Sequence, residues 1–197
     1  MTFRWGGAQV RLSFYFFLAV ALFLLWEPSG LAGLFFVGVV LHECGHLLVI
    51  ALLGLPVSEV NLTPLEVGLR LEDGPRLTPG RQLLLTLAGP GANLAAAGVF
   101  ALSGTMPWLQ LSAINLVLGM FHLLPLSGLD GGTALSLGLV RLLGPVYGQL
   151  LCCLVQGCVG AVGLAGCVWA MGRWGVTLPL VLAAVLFTGS ILSPGGD

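Results

Sequence analysis

Apolar runs of about bilayer-crossing length recur along nearly the whole chain, and no other feature narrows its fold so far. A membrane helix needs about 20 residues, which predicts spans near 11–27, 31–54, 82–104, 107–127, 146–171 and 174–193. Clusters of Gly and Pro break the runs at 28–30, 54–56, 79–80, 104–107, 144–145 and 194–196. Charged residues fill only 8% of the 197 positions and hydrophobic ones 57%, too little polar surface for a soluble domain of this size. The sequence therefore predicts an all-α polytopic membrane protein of about six transmembrane helices. It forms one domain over 1–197, embedded in a lipid bilayer.

The first run follows Arg4 and Arg11 and extends from Phe14 to Trp26. It ends in Trp26-Glu27-Pro28, a poor approach to a signal-peptidase site, so a retained span is expected rather than a cleaved leader. With a cytoplasmic N-terminus, Arg4, Arg11, Arg70, Arg76, Arg81 and Arg141 all fall inside, and only Arg173 falls outside. The net charge of −1 gives no reason to expect a nucleic-acid partner. The five cysteines lie in apolar segments and read as small hydrophobic residues rather than a disulfide framework.

One stretch departs from the helical pattern. Residues 58–72 alternate in part between apolar and polar, which predicts a short β-hairpin after the second span, turning at Pro64. The hairpin is either a connector or an edge able to receive a peptide strand.

The chain has three histidines, His42, His46 and His122, all within expected spans. Glu43 accompanies them, and Asp130 follows just past a helix break. Each charge at a bilayer centre costs about 2.5–3.5 kcal/mol on insertion scales, so the group asks for a common explanation, and a bound cation supplies one. In His42-Glu43-Cys44-Gly45-His46 the two imidazoles, four residues apart, share one helix face. Glu43 projects about 100° away, where its carboxylate can meet a water activated by the metal without being a ligand. Catalytic zinc usually takes three protein ligands. Asp130 is the best third candidate, because Pro125, Gly128, Gly131 and Gly132 interrupt the run around it, and such breaks lie at depth only beside protein or water. The alternative for Asp130 is a plain helix cap. Glu43 falls near mid-span and Asp130 nearer the cytoplasmic end, so water is expected to enter from the cytoplasm.

The His-Glu-x-x-His motif and the segment from His122 through Pro125 and Leu129 to Asp130-Gly131 together resemble the site-2 protease family of intramembrane zinc metalloproteases. Ala88-Gly89-Pro90-Gly91-Ala92-Asn93 is similar to a further stretch of that family, and the short architecture looks most like its sporulation-type branch. The resemblance covers about residues 1–143 and carries no PDZ or CBS domain. It implies a three-helix catalytic core near 31–143, with accessory helices at 11–27, 146–171 and 174–193. It implies one zinc ion per chain held by His42, His46 and Asp130, with Glu43 activating water. The implied substrate is a membrane-tethered protein cut within or next to its transmembrane segment, and a regulatory membrane protein is a further partner.

The family usually has Asn where this chain has His122. The imidazole can donate a similar hydrogen bond to substrate or oxyanion, ligate the metal, or serve as a buried hydrogen-bonder. Asn115, seven residues earlier on nearly the same face, is expected to share in substrate binding. Asn93 is open between a site role and a polar helix contact. Two other functions fit the polar residues: a non-catalytic zinc-binding relative, suggested by His122, and a metal or proton transporter.

Overall fold

The computed structural model describes residues 2–5, 8–12, 30–55, 57–62, 67–71 and 77–192. Its elements in chain order are β1 (Thr2–Trp5), β2 (Ala8–Leu12), α1 (Leu31–Leu52), β3 (Val57–Leu62), β4 (Val67–Leu71), α2 (Pro79–Ala101), α3 (Trp108–His122), α4 (Asp130–Trp174) and α5 (Leu178–Leu192). Contacts divide the chain into two compact units: Met1–Leu77 with Ala88–Gly119, and Thr78–Leu87 with Met120–Asp197.

The expected all-α class needs correcting, because the first unit contains a four-stranded sheet in the order β1-β2-β3-β4. β3 and β4 pair antiparallel, with Val60 opposite Leu69. β2 lies parallel to β3, with Val10 opposite Val60, and β1 antiparallel to β2. An isolated two-stranded hairpin is marginal at best, and added strands supply the partners it lacks. Pairing β2 with β3 joins segments about 50 residues apart in sequence, and the period-2 pattern of neither one encodes that. Pro64, the expected turn, lies outside the described residues. The first expected span, 11–27, falls there too, except that Arg11 and Leu12 belong to β2.

The expectation of six spans is also revised. Among the described residues three helices, α1, α2 and α4, are long and apolar enough to cross a membrane, while α3 and Leu180–Leu192 are shorter apolar helices. α3 ends at His122 because Pro125 disfavours helix just before it and Gly128, at φ 84°, turns the chain. At 15 residues it is about 22 Å long, short of a hydrocarbon core of about 30 Å. Residues 130–143, which fall between the expected spans 107–127 and 146–171, are helical and open α4. Its 45 residues are two helices meeting at Gly144, whose φ of 81° and ψ of 169° no helix allows, with Pro145 starting the second. The helices turn apolar side chains outward: Leu52, Val99, Val117 and Val146 are all more than 60% exposed. Such exteriors suit hydrocarbon and would be a liability in water.

Small residues set the close approaches within the first unit. A Cβ at Gly45 of α1 would strike the carbonyl oxygen of Ala88 on α2. One at Gly38 would come 2.7 Å from Leu118 Cδ1 of α3. Lipid offers apolar helices little net drive to associate, so backbone contacts of this kind carry much of the packing. All five cysteines are free thiols.

Candidate metal centre

α1 presents His42 and His46 one turn apart, and their Nε2 atoms lie 3.2 Å from each other. Two ligands at the usual zinc–nitrogen distance of about 2.0–2.1 Å span a tetrahedral edge of about 3.3 Å. The pair is therefore already spaced for one ion. His42 is 4% exposed and His46 half-buried. Facing both nitrogens is Gly89 of α2: a Cβ there would overlap Nε2 of His46 and Nε2 and Cε1 of His42. Only hydrogen fits on that Cα, and the histidines keep a space against bare backbone.

Behind His42 lies a buried chain of amides. The His42 Nδ1 lies at hydrogen-bond distance, 2.7 Å, from Asn93 Oδ1. Asn93 Nδ2 donates to the Gly38 carbonyl at 2.9 Å and to Asn115 Oδ1 at 2.8 Å. Asn115 Nδ2 in turn donates to the Leu111 carbonyl at 2.8 Å. Both asparagines are 0% exposed. Asn115, expected to share in substrate binding, and Asn93, open between a site role and a polar helix contact, are both buried here with their amides bonded to protein.

In the second unit Asp130 is the first residue of α4. Leu129 is the N-cap, with φ −112° and ψ 157°, so the carboxylate is not the helix cap that the sequence left open. It stands where the helix dipole favours negative charge. The glycines after it admit the preceding loop: a Cβ at Gly131 would overlap the carbonyls of Leu123 and Leu124, and one at Gly132 the carbonyl of Leu126. Ser190 Oγ of α5 accepts the Ser127 N–H at 3.1 Å, which satisfies irregular backbone that apolar surroundings would otherwise penalise. His122, the last residue of α3, has its Nδ1 3.3 Å from Asp130 Oδ2.

His42 and His46 in the first unit, and Asp130 in the second, are residues of the types that ligate metal ions. Two imidazole nitrogens and a carboxylate are a donor set that suits zinc. Glu43, half-buried, directly follows His42 on α1. Sequence reasoning missed Gly89 as a site residue. Its signal was present in Ala88-Gly89-Pro90-Gly91, since two glycines flanking a proline inside an apolar helix mark a close approach.

The structure superposes on the site-2 protease from Methanocaldococcus jannaschii with a TM-score of 0.65, covering 97% of this chain and 94% of that one at 22% identity. The likeness establishes a shared fold. In sequence, a zinc metalloprotease of the same archaeon, MJ0392, is 31% identical over 156 residues, 72% of this chain and 44% of that protein. A Mycobacterium tuberculosis protein named as a zinc metalloprotease, Rip3, is 32% identical over 116 residues, 53% of this chain and 29% of its own length. The chain thus spans less than half the length of these curated relatives. No family model matches it.

Proposed function

We propose that the protein is an intramembrane zinc metalloendopeptidase of the site-2 type, with His42, His46 and Asp130 holding one zinc ion per chain and Glu43 as general base. The observation that carries this reading is the His42–His46 pair, with Nε2 atoms 3.2 Å apart on a helix apolar and long enough to cross a bilayer. Imidazoles and carboxylates in such a segment are costly unless a ligand compensates them. The names of the relatives and the shared fold point the same way.

When bound, zinc would supply Lewis-acid polarisation of the scissile carbonyl and lower the pKa of water. Glu43 takes the proton from the attacking water and delivers it to the leaving amine. Asp130 would contribute the carboxylate ligand, and His122 Nδ1, 3.3 Å from Asp130 Oδ2, would orient it.

The substrate is a membrane-tethered protein cut within or next to its transmembrane segment, with a regulatory membrane protein as a further partner. A place in the sporulation-type branch is part of the same proposal and rests on the motif resemblance. Arg4, Arg11 and Arg70 are strand residues of a single sheet. That concentration of positive charge supports a cytoplasmic sheet and N-terminus in a bacterial-type cell membrane, with the site opening toward the cytoplasm.

The test is Glu43→Gln, co-expressed with a membrane-tethered reporter. Cleavage should fall about 10²- to 10⁴-fold, the usual worth of a general base, while zinc stays at one per chain. Parental cleavage by that variant would end the mechanism. Zinc without turnover in the parent would instead indicate a non-catalytic relative, and metal uptake into vesicles unaffected by Glu43→Gln would indicate a transporter.

A further inference from the structure

We infer that Asn93, oriented by backbone and by Asn115, locks His42 in its Nδ1–H tautomer and so presents Nε2 to a metal before any metal arrives. The inference rests on the zinc reading above for its purpose, but its structural half stands alone.

The argument starts from atoms whose chemistry is not in question. The Gly38 and Leu111 carbonyl oxygens can only accept. Gly38 O lies 2.9 Å from one end of the Asn93 amide, so that end is the NH2 group. Were the amide turned over, two acceptors would face each other at that distance in a buried site, with a lost hydrogen bond and an unmet carbonyl. Leu111 O fixes Asn115 in the same way, and Asn115 Oδ1 then takes the second Asn93 proton. Both amide protons of Asn93 are thus committed, and its oxygen faces His42 Nδ1 at 2.7 Å. An amide oxygen cannot donate, so Nδ1 carries the proton. In the neutral ring Nε2 is then a bare lone pair. It is the nitrogen 3.2 Å from His46 Nε2 and beside Gly89.

The five polar groups come from three helices, and burial keeps water from offering an alternative partner. Gly38 is one turn before His42 on α1, so the carbonyl that orients Asn93 belongs to the helix that carries the ligand. Asn93 and Asn115 are accordingly positioning residues: they touch neither substrate nor metal and act through His42. Partners of this kind on metal-bound histidines change metal affinity by about 10- to 100-fold.

Two measurements on the full-length protein in detergent test this. The first is nitrogen-15 NMR of the imidazoles in metal-free, unsubstituted protein, with His42→Gln to assign the signals. The expected result is a protonated Nδ1 and an unprotonated Nε2 at His42; the reverse tautomer, or a mixture, overturns the inference whatever the function. The second is zinc affinity by chelator competition. Asn93→Leu should weaken binding about 10- to 100-fold. Asn115→Leu should cost less, because Gly38 O still orients Asn93. Ser112→Ala removes a different α3-to-α2 hydrogen bond, to the Ala97 carbonyl, and should leave affinity unchanged. Parental affinity in Asn93→Leu, or equal loss in Ser112→Ala, overturns the positioning role. Absence of zinc binding by the parent protein would instead refute the functional reading and leave the tautomer result to be judged by itself.

Discussion

Gly89→Ala gives the most direct access to the geometry of the site. The added methyl carbon would lie closer to Nε2 of both histidines than non-bonded atoms can approach. Relief requires one ring to turn or α2 to withdraw. His42 resists turning, because its Nδ1 is held at 2.7 Å by an asparagine whose own amide is fully engaged. Withdrawal of α2 would give up the backbone contact that its Ala88 makes with Gly45 of α1. Whichever side gives way, the two nitrogens lose their common spacing. Zinc affinity should fall at least about 100-fold, or about 2.7 kcal/mol. Overpacking should also lower stability by about 1–3 kcal/mol. Gly91→Ala is the control. That residue lies in the same helix, is exposed, and has nothing within 4 Å of an added Cβ. Both variants share the helix-propensity gain of about 1 kcal/mol for Gly→Ala, so their difference isolates the clash. The assay is chelator competition for zinc on both purified proteins, with thermal unfolding in the same detergent. If Gly89→Ala binds one zinc with parental affinity, the ligand geometry described above is wrong.

Other consequences follow from the same contacts. His122→Ala should lower zinc affinity about 10- to 100-fold by removing the donor to Asp130, while His122→Asn, which can still donate, should recover part of it; equal losses in chelator competition would refute the donor role. Stripping metal with a strong chelator should stop proteolysis and zinc should restore it, whereas restoration by magnesium, which prefers six oxygen ligands, would contradict the His-His-Asp donor set. Gly131→Ala should cost about 1–3 kcal/mol in thermal unfolding and weaken zinc binding, because the loop carbonyls of Leu123 and Leu124 must move away from the residue next to Asp130. An unchanged melting midpoint would show that the loop does not press on the helix.

The part of this architecture legible in the sequence is the part governed by short-range periodicity. His42 and His46 face the same way because helices repeat every 3.6 residues, and the apolar run around them identifies a helix before any fold is known. Gly144 and Pro145 likewise announce the interruption of α4 through backbone chemistry alone. The length of α3 was harder to read, since the apolar run continues past His122 and only the backbone restrictions of Pro125 and Gly128 end the helix. The N-terminal strands were harder still: residues 8–12 read as the approach to an apolar span, and only their pairing with residues 59–62 makes them β2.

The amino-acid sequence thus determined a membrane-suited chain with a histidine pair on one helix face and a carboxylate after a glycine-rich break, because each is written in residues a few positions apart. Tertiary structure decided what surrounds those groups. Asn93 reaches His42 across 51 residues and Asn115 across 22, and these contacts bury both amides against protein. Gly89 matters through what its missing side chain leaves open beside two imidazoles on another helix. A hydrogen bond or a close approach between distant segments exists only once the helices have packed, and no local pattern encodes it.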